Sequence, residues 1–156
     1  MTTAEKAGFD LERFIPFRIS VLSSRMTSVV ARVYTRRFKL LAPEWRTVAV
    51  LGRFGGMTAS EVAAHTAMDN ARVSRTVTKL LRSGHMVRRS DPLDRRRALL
   101  DLTEGGRELY AKIVPLVLAA EAELLKDLTE GERAALDAAF GKLEARLERR
   151  AAKSTA

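Results

Sequence analysis

The chain has 156 residues, of which 46% are hydrophobic and 30% are charged, a composition typical of one globular domain with its own core. No stretch approaches the roughly 18 uninterrupted apolar residues of a membrane span, and no secretory signal is visible, so we expect a cytoplasmic protein. Because cysteine is absent, disulfides, zinc–cysteine sites, thiol catalysis and cysteine-based redox sensing are excluded.

The positive charge is concentrated in one segment. The formal net charge is +9 at pH 7, and residues 69–97 hold nine Lys or Arg against three Asp, a net charge of +6. Such a localised patch favours a polyanionic partner, and nucleic acid above all. The alternative is a basic surface for anionic lipid, but the segment lacks the exposed bulky apolar residues of a membrane-binding helix, so no membrane partner is expected.

Two helices are predicted in the first third of the chain, after a flexible tail over residues 1–10. The first runs from about Leu11 to Phe38, and the second runs from Glu44 to about Phe54 with Pro43 in its first turn. The apolar residues of the first helix alternate four- and three-residue spacings, which predicts a seam for a second helix or subunit. These residues are Ile15, Ile19, Leu22, Met26, Val29 and Val33. The buried face of the second helix is predicted to hold Trp45, Val48, Ala49 and Leu51.

The next segment has the spacing of a helix-turn-helix. Thr58-Ala59-Ser60-Glu61 is a capping box that starts a short helix ending near Thr66. After a turn at Ala67-Met68, Asp69 is a good N-cap for a helix over Asn70–Ser83. The residues predicted to face outward from this helix and to bind DNA are Asn70, Arg72, Ser74, Arg75, Thr76 and Lys79. Arg and Asn are the usual readers of guanine and adenine, and the alternative is a solvated face that contacts phosphates only.

A hairpin is predicted directly after this helix. Met86–Ser90 and Ala98–Leu102 are able to form strands, and they flank a turn built on Asp91-Pro92 and Asp94. The hairpin carries five arginines, which repel one another unless a polyanion lies against them: Arg88, Arg89, Arg95, Arg96 and Arg97. A helix followed by a basic ribbon predicts a winged helix-turn-helix, with the helix in one DNA groove and the wing beside it.

Two further helices are predicted after the wing. Thr103 caps one that runs to about Lys126, with Pro115 as a kink, and the capping box of Thr129 and Glu132 starts the last helix. The last helix is expected to bury Leu136, Phe140, Leu143 and Leu147 and to fray over residues 151–156.

The predicted fold is therefore mainly α with a small β-hairpin wing. Residues 41–102 form the DNA-binding lobe, and residues 11–40 and 103–150 form a helical dimerisation region. A homodimer would present its two DNA-reading helices about 34 Å apart, which is one turn of B-DNA.

Several motifs together resemble the MarR family of bacterial transcriptional regulators. They are Pro43-Glu44-Trp45-Arg46, the segment Leu80–Gly84, Asp94-Arg95-Arg96 and the segment Leu102–Gly106. The element order is also similar to that family over about residues 11–150. His85 departs from the family pattern, which usually has an apolar residue there.

The resemblance implies a homodimeric repressor, less often an activator, that binds a pseudo-palindromic stretch of double-stranded DNA. It further implies release from DNA by a small ligand held between the dimerisation helices and the lobe. Aromatic acids, phenolics and their CoA thioesters are typical ligands of the family. The resemblance also assigns Arg96 to insertion into a narrow minor groove. Asp94 is expected to orient Arg96 by an ion pair, and Arg95 and Arg97 to contact phosphate or solvent.

Candidate residues for a small anionic or aromatic effector lie near the expected junction. Arg18 and Arg25 flank the apolar seam of the first helix, so they either pair with acids on a neighbouring helix or meet a ligand carboxylate. Trp45 is either core or a pocket wall, and Arg46 either pairs with an acid or anchors an anion. His65 is expected to be exposed, to contact phosphate or to line the pocket. The two histidines are far apart in sequence, so no metal site and no cofactor are predicted.

Two other functions remain as alternatives. A sequence-indifferent architectural DNA-binding protein would use the same charge without a pocket, and its affinity would differ little between sequences. An enzyme is not expected, because the sequence has no phosphate loop, dinucleotide fingerprint or nucleophile elbow.

Overall fold

The computed structural model describes residues 9–154. Within them lie six helices and one antiparallel two-stranded sheet. In chain order the elements are α1 (Ile15–Phe38), α2 (Ala42–Phe54), α3 (Ala59–Thr66), α4 (Asn70–Arg82), β1 (Met86–Ser90), β2 (Ala98–Leu102), α5 (Glu104–Leu124) and α6 (Glu130–Ser154). The mainly helical fold with a hairpin wing is thereby confirmed. None of these helices is long and apolar enough to cross a membrane.

Both ends of the chain differ from the sequence-based expectation. The first helix begins at Ile15 rather than Leu11, because Pro16 occupies its first turn, where the missing amide and fixed φ of proline are tolerated. The last helix continues to Ser154, so fraying over residues 151–154 was wrongly predicted; Ala and Lys there are good helix formers. Most of the predicted N-terminal tail (residues 1–8) and residues 155–156 lie outside the described residues.

Local side-chain caps fix the helix-turn-helix as predicted. The Glu61 carboxylate accepts hydrogen bonds from the amide and hydroxyl of Thr58 at 2.7 and 2.8 Å, and the Thr58 hydroxyl accepts one from the Glu61 amide. Asp69 caps α4 by accepting a hydrogen bond from the Arg72 amide at 2.7 Å. These caps satisfy amides that would otherwise lack a partner at each helix start.

The hydrophobic core lies beneath the helix-turn-helix and the wing. Its buried members come from α1 through α5 and both strands: Tyr34, Leu40, Val48, Leu51, Met57, Val62, Met68, Val73, Val77, Leu80, Met86, Leu100, Leu102, Leu109 and Ile113. The strands pair in the register Met86 with Leu102 and Ser90 with Ala98. Met57 forms an isolated antiparallel bridge to this sheet, exchanging backbone hydrogen bonds of 3.0 and 2.8 Å with Leu100. The wing is thereby attached to the residue that precedes the α3 cap.

The buried face of α2 differs in part from the predicted one. Val48 and Leu51 are buried as expected, but Ala49 is only half-buried and two polar residues, Glu44 and Thr47, are buried instead. The Thr47 hydroxyl is satisfied by donating to the Pro43 carbonyl at 3.0 Å. A buried polar side chain is accepted where it finds such a partner.

The chain forms two compact units, of which one ends at Ala120 and the other begins at Glu121. In the second unit, the apolar side chains of α6 are exposed in the single chain, with Leu147 at 66%. The expectation that α6 buries Leu136, Phe140, Leu143 and Leu147 is therefore wrong for one copy of the chain. In the first unit, the predicted seam of α1 is also largely exposed, and Leu22 reaches 56%.

The turn from β2 into α5 is packed tightly against the turn that follows α4. Thr103 donates its hydroxyl to the Gly84 carbonyl at 2.6 Å and its amide to the His85 carbonyl at 3.1 Å. The same hydroxyl caps α5 by accepting from the Gly106 amide at 3.0 Å, as predicted for Thr103. A Cβ at position 106 would overlap the His85 carbonyl oxygen, whereas one at Gly105 would meet only the Thr103 hydroxyl at 3.8 Å.

We therefore predict that Gly106→Ala destabilises the protein and that Gly105→Ala does not. The first change forces a backbone shift that we expect to cost roughly 1–3 kcal/mol. The second adds a methyl in open space within a helix, where Ala exceeds Gly by about 0.5–1 kcal/mol. Urea unfolding followed by circular dichroism at one protein concentration measures both. Equal midpoints for the two variants would contradict the tight packing at Gly106.

Candidate nucleic-acid interface

The recognition helix α4 has one buried and one exposed face. Val73, Val77 and Leu80 are buried in the core beneath it. The exposed side chains carry most of the hydrogen-bonding groups predicted for DNA: Asn70, Arg72, Ser74, Arg75 and Lys79. Within residues 9–154, no ion pair or hydrogen bond engages the guanidinium of Arg72 or Arg75. Both are therefore available to an outside acceptor.

Thr76 is the exception among the predicted DNA-facing residues. It is buried, with 6% of its surface exposed. Thr76 follows Val73 by three residues, so it lies on the same side of the helix. It lines a small cleft together with Leu41, which precedes α2, and Pro43, which lies in the first turn of α2. Its predicted outward orientation is wrong. Thr78, which was not among the predicted DNA-facing residues, is exposed instead. Its spacing of four from Ser74 was the available signal, because it places the two residues on the same face of α4.

Lys79 is held inside the protein's own network. Its ammonium lies 2.7 Å from the Glu44 carboxylate, which is buried, while the lysine side chain remains 55% exposed. The Lys79 side chain thus differs from those of Arg72 and Arg75, which have no such partner among the described residues. Glu44 was not identified from the sequence as a partner, because α2 and α4 meet only in the folded chain.

Two aspartates shape the tip of the wing. Asp91 accepts a hydrogen bond from the Leu93 amide at 2.9 Å, and Asp94 accepts one from the Arg96 amide at 3.0 Å. The turn chemistry predicted for these residues is thereby confirmed. The predicted ion pair between Asp94 and Arg96 is not formed in the described part of the chain. Asp94 instead orients the Arg96 backbone, and the guanidiniums of Arg95 and Arg96 are exposed.

Arg97 fastens the wing to α3. Its guanidinium lies 3.2 Å from Glu61 and 3.6 Å from Asp91. The expectation that Arg97 contacts phosphate or solvent therefore omitted these two carboxylates. Hydrogen bonds from the Thr58 amide and hydroxyl hold the pKa of Glu61 below its ordinary value, and Arg97 adds to this effect. Glu61 therefore stays ionised and serves both the helix cap and the wing.

Arg88, on β1 of the wing, was not singled out as a DNA contact, although it lies beside α4. It lines a cleft of about 270 Å³ together with Asn70, Ser74 and Thr78 of α4. The signal available in the sequence was strand alternation, which places Arg88 on the same face of β1 as the apolar Met86.

A second cleft, of about 360 Å³, lies between α1 and the start of α2. Its lining consists mainly of hydroxyl groups of α1 and two guanidiniums: Ser20, Ser23, Ser24, Thr27, Ser28, Ala42, Pro43, Arg46, Met68 and Arg72. Two arginines and several hydroxyls are the donors that bind a carboxylate or a phosphate. Arg72 therefore belongs both to this cleft and to the exposed face of α4.

Of the predicted ligand-binding residues, only Arg46 lines this cleft. Arg18 and Arg25 are exposed but face elsewhere, because roughly 100° per residue places them well away from the hydroxyl-bearing side of α1. Trp45 is half-buried between Tyr34 and Tyr110, with ring centroids 5.7 and 6.2 Å away. His65 is exposed, as expected, and stacks on Phe54 at 4.8 Å. The five candidates therefore do not form one site.

Known proteins are similar to this chain in sequence and in structure. A family model described as MarR family matches residues 38–97. The HTH-type transcriptional regulator BilQ of Clostridium symbiosum is 32% identical over 96 residues, which cover 62% of this chain and 67% of BilQ. The crystal structure of a MarR/EmrR family transcriptional regulator from Acinetobacter sp. ADP1 has a TM-score of 0.82 at 26% identity, covering 90% of this chain and 99% of that one.

A further structural neighbour is Bordetella bronchiseptica BpsR, a protein whose DNA binding is regulated by 6-hydroxynicotinic acid. The TM-score is 0.77 at 23% identity, and the alignment covers 87% of this chain and 96% of BpsR. At this identity the likeness concerns the fold.

The attachment of the wing through the ion pair between Arg97 and Glu61 can be tested directly. We predict that Glu61→Ala accelerates hydrogen exchange of the Asp91 and Arg97 amides in the wing, because it removes a partner of Arg97. Glu132→Ala is the matched control, since Glu132 forms the same capping box with Thr129. Arg97→Met should reproduce the effect in the wing while the Thr58 cap stays intact. Unchanged protection of these amides in both Glu61→Ala and Arg97→Met would show that this ion pair does not stabilise the wing.

The same ion pair should weaken at low pH. The folded-state pKa of Glu61 is depressed, so its contribution to stability is fully present above the unfolded value of about 4.3. It is lost as the pH falls through the lower folded value. Protection factors of the wing amides, corrected for intrinsic exchange, should therefore converge between wild type and Glu61→Ala at low pH.

Proposed function

Because this chain belongs to the MarR family of winged helix-turn-helix transcriptional regulators, we propose that it is a homodimeric repressor of transcription. In this proposal it binds a pseudo-palindromic operator and releases it when a small anionic effector binds. The observation that carries the proposal is the set of guanidiniums on the outer face of α4 and at the wing tip that have no partner within residues 9–154. Transcriptional regulation, rather than catalysis, is also what the family does.

The unpaired arginines support operator recognition by two elements. Arg72 and Arg75 on α4 are the candidates for guanine contacts in the major groove, where a bidentate pair adds roughly 1–3 kcal/mol of discrimination. Arg95 and Arg96 at the wing tip are the candidates for the adjacent minor groove or its phosphates. Asn70 and Ser74 add hydrogen-bonding groups on the same face of α4.

The exposed apolar residues support a homodimer. Ile15, Ile19 and Leu22 are more than two-fifths exposed on α1, as are Leu143 and Leu147 on α6. A soluble protein rarely leaves such contiguous apolar rows in water. A second copy of the chain is the partner that covers them in the proposal. It also supplies the second recognition helix that a pseudo-palindrome requires.

The hydroxyl-lined cleft supports an effector that carries an acid group. Arg46 and Arg72 would bind a carboxylate, and the serines of α1 would bind a phenolic hydroxyl or another polar substituent. A hydroxylated aromatic acid or its CoA thioester has these groups, and 6-hydroxynicotinic acid, which regulates BpsR, is of this class. An effector that engages Arg72 withdraws it from the DNA, which gives release without any further device.

The proposed function is tested by fluorescence anisotropy on the chain's own upstream intergenic DNA and on a shuffled copy. We expect preference for the native sequence by a factor on the order of 10³ or more. Arg96→Ala should abolish the tight binding while leaving the dimer intact in analytical ultracentrifugation. Arg36→Ala removes another exposed guanidinium, from α1, and serves as the charge-matched control.

Equal affinity for the upstream DNA and its shuffled copy, and for fragments selected from the genome and their shuffled copies, would favour the architectural alternative. Unchanged operator affinity of Arg96→Ala would refute the wing's role in binding.

The effector site is tested by Arg46→Gln. We predict that an aromatic hydroxy acid, with 6-hydroxynicotinic acid and salicylate as probes, releases the wild type from its operator. The variant should need an effector concentration at least about tenfold higher for release, because a charge-assisted hydrogen bond contributes on the order of 1.5–3 kcal/mol. Arg53→Gln, which removes an exposed guanidinium from the other end of α2, should respond like the wild type. Release of Arg46→Gln at the wild-type concentration would refute the proposed site.

A further inference from the structure

Glu44 is a buried acid at the start of α2 whose two oxygens have different partners. Oε2 accepts a hydrogen bond from the Leu41 amide at 3.0 Å and so caps the helix. Oε1 lies 2.7 Å from the Lys79 ammonium on α4, and only 5% of the Glu44 side chain is exposed. The position in the first turn of α2 also favours a negative charge. Glu44 is therefore held in a fixed position against the recognition helix by a contact at each carboxylate oxygen.

Three cations of α4 share the surroundings of this carboxylate. Arg72, Arg75 and Lys79 line a cleft of about 220 Å³ with Glu44. The ion pair that forms is the one with Lys79. A short contact between two charged groups is strong, and removing one partner of a largely buried carboxylate is costly. Lys79 is thereby bound within the protein, whereas the guanidiniums of Arg72 and Arg75 have no partner in the part of the chain that the structure describes.

We propose that Glu44 withholds Lys79 from the DNA backbone and so limits the part of the affinity that is the same for every sequence. A lysine that neutralises a phosphate adds affinity for every sequence alike, because the gain comes from counterion release. Holding Lys79 on Glu44 removes that gain from operator and non-operator DNA equally. The arginines that read bases then contribute a larger share of the binding. This inference rests on the proposed function, since it requires α4 to face DNA.

The salt dependence of binding separates a lysine on phosphate from a lysine on Glu44. Each phosphate contact adds about 0.9 to the slope of log affinity against log salt concentration. Glu44→Gln keeps an oxygen for the Leu41 amide but removes the charge that holds Lys79. We expect the slope of this variant to steepen by about 0.9 for each bound copy of the chain, and its affinity for shuffled DNA to rise.

Three further variants complete the experiment, all measured by anisotropy on native and shuffled duplexes over a range of salt concentrations. Lys79→Met should leave the wild-type slope unchanged, and the double variant Glu44→Gln/Lys79→Met should return to it. Arg75→Met, which removes a candidate guanine contact from the same helix, should weaken binding to the native duplex more than binding to the shuffled one.

The outcomes distinguish this inference from the proposed function. If Arg75→Met lowers the preference for the native duplex and Lys79→Met reduces the slope, α4 faces DNA but Lys79 already contacts phosphate, and the inference fails alone. An unchanged slope in Glu44→Gln overturns it as well. If Arg75→Met leaves the affinity for the native duplex unchanged, the proposed role of α4 in operator binding fails, and the inference fails with it. Should Glu44→Gln fail to fold by circular dichroism, the Lys79→Met result still decides the matter.

Discussion

Two backbone hydrogen bonds between Met57 and Leu100 determine how the wing is placed relative to the helix-turn-helix. Both residues are buried, so their amides and carbonyls have no access to water and must pair with each other. Met57 directly precedes the cap of α3, and Leu100 is the middle residue of β2. The ion pair of Arg97 with Glu61 adds a second attachment between the same two elements. The exposed arginines of the wing and those of α4 are consequently carried by one fixed framework.

The charge of this framework is divided between paired and unpaired cations. The sequence places a net charge of +6 on residues 69–97, and that number alone suggests a uniform cationic surface. In the folded chain, Lys79 is bound to Glu44 and Arg97 to Glu61 and Asp91. Glu44 and Glu61 lie outside the segment in which the charge was counted. Local charge therefore overstates the number of groups available to phosphates, and the arrangement of acids from other elements decides which cations face outward.

Local signals in the sequence predicted the helices and strands, whereas the contacts between these elements could not be predicted from it. The bounds of β1 and β2 and the capping boxes at Thr58 and Thr129 depend on residues a few positions apart, and the structure confirms them. The burial of Thr76 depends on where α2 crosses α4, and no spacing within α4 contains that information. The hydroxyl-lined cleft was missed for the same reason. Its serines look like an ordinary solvated face of α1 until α2 brings Arg46 beside them.

The first helix links the proposed dimer to the proposed effector site through its two opposite faces. At roughly 100° per residue, Ile19, Leu22 and Met26 fall on one side of α1, and Ser20, Ser24 and Thr27 fall on the other. The hydroxyl side lines the cleft with Arg72, which is also a candidate DNA contact. If one guanidinium serves both partners, the coupling between them is reciprocal: DNA must weaken effector binding by the same factor by which the effector weakens DNA binding. A direct competition of this kind requires no change in the distance between the two recognition helices. It predicts that effector affinity measured without DNA exceeds the affinity measured on the operator complex, and that replacing Arg72 removes the difference.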